Sequence, residues 1–345
     1  MWFASLRDLQ WRFRRFLIAV IGTSLVFGLT LVMSGLSHGF RVEARRVVTG
    51  LGADGWVVAT GGHGAFTSAP ELRPGTTEAV RLLPGVTQAD PILVLHTTLD
   101  VPQVLDVNVV GFRPGGIGTP ARIDGRLPAS GEAVADVRLG KRVGDSFTYA
   151  GRRTVIVGTV RGMTIMAGQP LVFIPIADAQ RALGAPLASA ILTRGRPTRL
   201  PASLTLDEPA RTRRDLLRPL DNAVASIDLT QLLLWGVAAL IIGSVVYLSA
   251  LERVRDFAVF KATGAATHTL LVGLVLQAVT VALVSAVLAF GAAHLIAPAF
   301  PIDVVIPGRA LVVLPVIALA IGALASVAGL RRAVGVDPAA AFGGP

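Results

Sequence analysis

The sequence ERVRDFAVFKATG, from Glu252 to Gly264, separates an apolar run that ends at Leu251 from another that begins near Thr269. Its charged residues are of both signs, and its apolar residues fall at roughly helical spacing. A charged amphipathic segment between two long apolar runs is typical of a helix held at a membrane surface. We therefore predict a short surface helix here, with one face toward lipid or protein and the other free for a partner.

The composition is that of a membrane protein. Of 345 residues, 52% are hydrophobic and only 16% are charged, whereas charged residues make up about a quarter of an ordinary soluble domain. An uncharged apolar run of about 20 residues is long enough to cross a bilayer. Four such runs are present, and we predict that each is a transmembrane helix: 16–37, 229–251, 269–297 and 310–330.

Basic residues beside these runs predict the orientation of the chain. They occur in 1–15, in 252–268 and in 331–345, whereas the short loop 298–309 carries only Arg309. The positive-inside rule then places both termini and the loop 252–268 in the cytoplasm. Residues 1–15 have their apolar side chains roughly on one helical face, which predicts an amphipathic N-terminal helix at the cytoplasmic surface.

The insert 38–228, which this topology places outside the cell, has the pattern of an α+β domain. Alternating apolar residues predict strands, including a hairpin in 147–160 that turns near Gly151. Helical patterns occupy 70–83, 177–183 and 208–227, the last running into the second span. The predicted fold is an α-helical membrane protein with four transmembrane helices and an α+β extracytoplasmic domain inserted between helices 1 and 2. The other predicted strands are 56–59, 92–99, 103–112, 132–136, 171–174 and 191–193.

Two local patterns leave alternatives open. The first helix is predicted to continue through 40–48, where Glu43 lies among arginines and is expected to pair with one three or four residues away. Small residues four apart let helices approach closely, and they fit either packing within the subunit or a homodimer interface. These pairs are Ala239 and Gly243, Ser285 and Ala289, and Gly322 and Ser326.

The sequence shows no pattern of catalytic or cofactor-binding residues. Its histidines are scattered, and the glycine-rich nucleotide-binding motifs and the G-x-S-x-G motif are missing. Cysteine is absent, which excludes disulfides and thiolate metal sites. The net charge is +10, but the basic residues do not cluster with aromatic ones as a nucleic-acid surface requires. We expect a chain that is not an enzyme and that binds no metal, cofactor or nucleic acid.

The order of parts resembles the permease subunits of MacB/FtsX/LolC-type ABC transporters. ERVRDFAVFKATGA (252–265) is similar to the family segment E-R-x-x-E-I-G-x-x-[RK]-A-x-G-A, with Asp256 in place of Glu and Phe257-Ala258 in place of Ile-Gly. VGVDPAAAF (334–342) resembles the family ending I-x-P-x-x-A-L-R without its final Arg. Stretches of the insert resemble the family's periplasmic core: GRLPASGEAVAD (125–136), GKRVGDSFTYAGRRTVIVGTV (140–160) and PLVFIPIADAQRAL (170–183).

The resemblance implies a multi-pass protein of a bacterial plasma membrane that works with a cognate ABC ATPase. In that family two permeases, here expected to be a homodimer, pair with two ATPase subunits, which carry ATP and Mg²⁺. The loop helix docks on the ATPase, and ATP-driven motion reaches the external domain. By resemblance, the ATPase-coupling residues are Glu252, Arg253, Arg255, Asp256, Phe260, Lys261 and Gly264.

The run 16–40 resembles the DevC and heme-exporter branch of the family, in which an acidic residue beyond the first span is implicated in holding the ligand. Glu43 matches it, and Phe40 and Arg45 are its candidate neighbours at a substrate site. The expected function is ATP-driven export of a hydrophobic or amphipathic substrate such as a lipid, an antimicrobial peptide or heme. The alternative is an FtsX-like transducer that transports nothing and activates an external cell-wall hydrolase.

Overall fold

The computed structural model describes residues 13–69, 71–101, 103–252, 267–297, 300 and 304–310, and positions 312, 313, 316, 317, 319, 320, 323, 324 and 327. The chain forms two compact units. We call Gly39–Ala223 the outer unit, after the side of the membrane that the sequence predicts for it, and Met1–His38 with Val224–Pro345 the membrane unit. The helices with defined bounds are α1 (Phe13–Gly50), α2 (Thr76–Arg81), α3 (Ile176–Leu183), α4 (Pro209–Leu217), α5 (Asp221–Glu252) and α6 (Thr267–Ile296).

Within the described part of the chain, three helical segments are long and apolar enough to cross a membrane: Phe16–Gly50, Pro209–Val245 and Val275–Ile296. They contain most of the first three runs that the sequence predicts as spans. The fourth predicted span, 310–330, falls largely outside the described residues, as do the N-terminal helix predicted for 1–15 and the tail 331–345. The number of spans therefore stays a prediction.

Small residues bring the helices of the membrane unit together. A stripe of buried alanines runs along α6, and α1 and α5 contribute larger apolar side chains to the same cluster. The Ser285 hydroxyl donates a hydrogen bond to the carbonyl of Val20 at 3.2 Å, and Gly28 lies against the backbone of Ala289. Ser285 and Ala289 thus pack inside the subunit, while a homodimer interface stays a prediction.

The outer unit is built on one mixed sheet. Its strands are β1 (Gly55–Ala59), β2 (Val86–Val101), β3 (Gln103–Phe112), β4 (Asp124–Gly125), β5 (Glu132–Asp136), β6 (Ser146–Tyr149), β7 (Arg152–Val160), β8 (Thr164–Ile165), β9 (Gln169–Pro175), β10 (Ala190–Gly195) and β11 (Leu204–Asp207). In spatial order they run β11-β1-β10-β2-β3-β9-β5-β7-β4, with β6 paired to β7 and β8 paired to β9. The pairs β3–β9 and β5–β7 are parallel, and the other pairs are antiparallel.

Proline and glycine set the ends of the helices. The helix predicted for 70–83 is confined to α2, because Gly75 adopts a left-handed conformation with φ 87° just before it. The helix predicted for 208–227 is divided into α4 and α5 by a 3₁₀ turn at Arg218–Leu220. That turn contains Pro219, which has no N–H to donate to an α-helix.

The last turns of α1 belong to the core of the outer unit. Val47, Val48 and Leu51 are almost fully buried and share one apolar cluster with Phe173 of β9 and Leu192 of β10. Burial of one such side chain contributes about 1.5–3 kcal/mol. The first helix is therefore fixed to the sheet by its own side chains.

Candidate functional site

The residues predicted to couple to an ATPase fall at the end of α5 and beyond it. Glu252 is the last residue of α5. Arg253, Arg255, Asp256, Phe260, Lys261 and Gly264 lie outside the described residues, so their role stays a prediction.

Glu43, the predicted substrate residue, faces the interior of the outer unit. Its side chain is buried, and its Oε1 accepts hydrogen bonds from the Thr164 hydroxyl and from the Gly168 N–H, the latter at 2.9 Å. The sequence predicts an arginine partner on the same helix, but these two donors lie on β8 and in the turn that joins it to β9. Residues more than 100 positions away are beyond what helical spacing can predict.

Phe40 and Arg45, the other two predicted substrate residues, lie in different environments. Phe40 is buried and Arg45 is exposed. With Glu43 also buried, two of the three side chains are turned away from solvent in this conformation. Substrate contact through these residues stays a prediction, and it requires the carboxylate to leave its present partners.

The turn that Glu43 holds has an unfavourable backbone conformation. Met166, Ala167 and Gly168 have φ values of 50°, 71° and 96°. For residues with a Cβ, the left-handed region costs about 1–2 kcal/mol each. The hydrogen bond from the Gly168 N–H to the buried carboxylate offsets part of that cost. Glu43 therefore acts as a clamp that fixes α1 to the β8–β9 turn.

Two further contacts of α1 support the clamp. The guanidinium of Arg46 lies over Gly162, where a Cβ would be only 2.1 Å from Nη1, and Gly50 lies against the sulfur of Met163. The Met163 N–H in turn donates to the buried carboxylate of Asp136 at 2.7 Å. The segment 162–168 is thus held between α1 and the sheet.

A separate pocket of about 280 Å³ lies within the membrane unit. The exposed guanidinium of Arg309 lines it together with the half-buried polar residues Ser34 and Gln231. Leu31, Trp235 and Val313 supply apolar surface, and the Trp235 ring packs on Phe27 with 6.1 Å between centroids. We call the pocket lined by Ser34, Gln231, Trp235 and Arg309 the amphiphile pocket, since it joins a cation to an apolar wall.

The residues that line the amphiphile pocket all lie at the same end of their predicted spans. Ser34 is close to the end of the run 16–37, Gln231 follows the start of 229–251, and Arg309 immediately precedes 310–330. The positive-inside rule assigns that end to the outer face. In the sequence, Arg309 indicates only the orientation of the chain. Gln231 and Trp235, four apart on one helix, are the sequence signal of a polar and aromatic face.

Comparison with known proteins agrees with this architecture. An uncharacterized ABC transporter permease of Mycobacterium bovis is 46% identical over 349 residues, which cover all of both chains. A second, from Mycobacterium tuberculosis, is 44% identical over the same extent. The family described as FtsX-like permease C-terminal matches residues 231–338. The chain belongs to the ABC transporter permeases of the FtsX-like family. Such a permease implies a partner ATPase subunit.

Two solved structures are also similar to parts of this permease. The extracellular domain of the noncanonic ABC-type transporter YknZ from Gram-positive bacteria is 11% identical, with a TM-score of 0.31, covering 41% of this chain and 83% of that one. The periplasmic region of MacB from Actinobacillus actinomycetemcomitans is 11% identical, with a TM-score of 0.35, covering 48% and 94%. Membership of the family rests on the full-length relatives.

Proposed function

We propose that this permease extrudes an amphipathic, anionic substrate from the outer leaflet, driven by a separate ATPase subunit. The observation that carries the proposal is the amphiphile pocket, in which a guanidinium and two polar side chains stand beside apolar surface. ATP and Mg²⁺ would be bound by the ATPase. This chain would supply the path for the substrate, would bind no cofactor and would catalyse no reaction itself.

Each wall of the amphiphile pocket suits one part of such a substrate. The Arg309 guanidinium would pair with an anionic head group, because arginine offers several N–H donors in a planar fork. Ser34 and Gln231 would hydrogen-bond to its polar atoms. Trp235 and Leu31 would contact the first carbons of the apolar chain. The volume of about 280 Å³ lies near the lower end of ligand pockets, which suits a head group rather than a whole lipid.

The ATPase would act through the loop 252–268, as the family resemblance implies. Motion of the spans would then reach α1, and the Glu43 clamp would carry motion of α1 to the β8–β9 turn. Because α1 is one helix from Phe13 to Gly50, it has no break at which such a motion would be lost. Extrusion by mechanical displacement is consistent with this connection.

The test is stimulation of ATP hydrolysis in the purified permease–ATPase complex. Lipids, peptides and heme are titrated against the wild type, against Arg309→Gln, and against Arg73→Gln, which removes an exposed arginine from the outer unit. We expect an anionic amphiphile to stimulate hydrolysis. The half-stimulating concentration should rise at least tenfold in Arg309→Gln and stay unchanged in Arg73→Gln, since a charge-assisted hydrogen bond contributes about 1.5–3 kcal/mol. Identical titrations for the Arg309→Gln variant and the wild type would contradict the proposal.

A second candidate function is that of a transducer, and the Glu43 clamp favours it. A firm connection between α1 and the outer sheet is equally suited to passing a conformational signal to an external cell-wall hydrolase. In that case the complex would co-purify with such a hydrolase, and no amphiphile would change its ATPase rate. The same titration series therefore separates the two functions.

A further inference from the structure

A second pocket, of about 400 Å³, opens on the outer unit beside the turn between β6 and β7. Arg152 and Arg153 reach it from the start of β7, and Arg181 reaches it from α3. We call it the arginine pocket, after Arg152, Arg153 and Arg181. Tyr149 and Ser130 also line it, and the buried side chain of Ile174 forms part of its apolar wall.

The carboxylate in the arginine pocket, that of Asp178, is already fully engaged. It accepts hydrogen bonds from the Ser130 hydroxyl at 3.0 Å, from the Gly131 N–H at 2.8 Å and from the Arg181 guanidinium. The Arg152 and Arg181 guanidinium groups against one carboxylate leave an excess of one positive charge in the pocket. Asp178 therefore anchors Arg181 and leaves Arg152 for another anion.

Local structure presents Arg152 to the pocket. Ala150 and Gly151 form the hairpin turn with φ values of 46° and 73°, and such turns match the twist of paired strands. Arg152 pairs with Tyr149 across the hairpin and shares its face. Arg153 lies on the opposite face, where its Nε–H donates to the Ser146 hydroxyl at 3.1 Å. Burial raises the pKa of Tyr149 above its ordinary value, so its phenol stays neutral and can donate a proton to a hydrogen bond.

We propose that the arginine pocket is a binding site for a phosphate group, carried either by a soluble ligand or by a lipid head group. Guanidinium groups bind phosphate oxygens through paired N–H donors, and the excess positive charge favours an anion. The phenol of Tyr149 adds an uncharged donor. Ile174 gives the remainder of such a ligand an apolar surface. This site lies in the outer unit and is distinct from the amphiphile pocket.

The test is direct binding by isothermal titration calorimetry to the full-length protein in an uncharged detergent. The probes are inorganic phosphate, dihexanoyl phosphatidylglycerol and dihexanoyl phosphatidylcholine, each below its micellar concentration and at matched ionic strength. The variant Arg152→Gln/Arg153→Gln removes the cation that faces the pocket and its neighbour on the opposite face of the hairpin. Its matched control, Arg73→Gln/Arg199→Gln, removes two exposed arginines from loops elsewhere in the same unit.

We expect saturable binding of an anionic probe by the wild type, at least tenfold weaker binding by Arg152→Gln/Arg153→Gln, and less than a twofold change in the control. Binding of inorganic phosphate would identify a soluble ligand, and binding of phosphatidylglycerol without inorganic phosphate would identify a lipid head group. The single variant Arg152→Gln should also weaken binding, about threefold or more.

The proposal is overturned if the wild type binds neither anionic probe, or if the pocket variants bind as the wild type does. Equal binding of phosphatidylcholine and phosphatidylglycerol, insensitive to the variants, would also overturn it. Because the readout is binding and not ATP hydrolysis, the result is independent of the proposed export function.

Discussion

Replacement of Glu43 distinguishes a structural carboxylate from a ligand for a substrate. Glu43→Ala leaves the Thr164 hydroxyl and the Gly168 N–H without their acceptor, and a buried donor left unsatisfied costs about 1–3 kcal/mol. For two donors the cost would be about 2–6 kcal/mol. Because the Thr164 hydroxyl can rotate toward another acceptor, we expect the loss of stability to lie in the lower half of this range, about 2–4 kcal/mol. Glu43→Gln keeps an acceptor oxygen for both donors and gives up only the charge, which costs about 1 kcal/mol.

The assay is hydrogen exchange of the detergent-solubilised protein, followed by mass spectrometry of peptides that cover 162–168. Exchange reports the free energy of local opening, and about 1.4 kcal/mol corresponds to a factor of ten. We expect protection of this segment to fall about 30- to 1,000-fold in Glu43→Ala and by less than about tenfold in Glu43→Gln. Unchanged protection in Glu43→Ala would refute the clamp.

Heme binding by the same two variants completes the comparison. If Glu43 is an iron ligand, both substitutions should abolish any absorbance shift of added heme, because an amide is a much poorer ligand than a carboxylate. If Glu43 is the clamp alone, Glu43→Gln should retain the shift shown by the wild type. The pair of variants thus tests the resemblance to heme exporters without relying on a variant that disturbs the fold.

Two further predictions concern charged residues elsewhere. The double substitution Arg253→Glu/Arg255→Glu should abolish co-purification of the ATPase while membrane insertion is retained; wild-type recovery of the ATPase would contradict docking through this loop. In the outer unit, hydrogen bonds from Arg126 lower the pKa of Glu132 to about 2. Since this folded-state value lies below that of the unfolded chain, the stabilisation is present above about pH 4.5 and is lost as the pH falls toward 2. Between pH 5 and 3, the melting temperature of Arg126→Gln should therefore fall less than that of the wild type. An equal fall in both proteins would contradict this role of Arg126.

The sequence was most informative where the determinants are local. The strands at 103–112 and 132–136 and the hairpin near Gly151 were predictable, because alternation and turn residues act over a few positions. The extension of the first helix through 40–48 was predictable for the same reason. The short strands β4 and β8 were not, since two residues carry no periodicity, and neither was β11, which pairs with β1 from more than 140 residues away.

The sites were harder to predict, because each depends on contacts between distant segments. Helical spacing suggested an arginine partner for Glu43, but Thr164 and Gly168 become neighbours only when the sheet forms. Arg309 was recognisable as a lone cation beside an apolar run. Its proximity to Ser34 and Gln231, however, depends on how three segments of the membrane unit pack. The AGRR turn was predicted, but the approach of Arg181 depends on the position of α3.

Both hydrogen bonds of the clamp end on the same oxygen of Glu43, and this determines how it would respond to force. A pull along α1 would load the bonds from Thr164 and Gly168 together, so that one rotation of the carboxylate would release both. Once released, Met166 and Ala167 would be free to leave their left-handed conformations, a relaxation that opposes re-formation of the bonds. The connection would therefore yield above a threshold load rather than stretch gradually, and below that load the outer sheet would follow the helix.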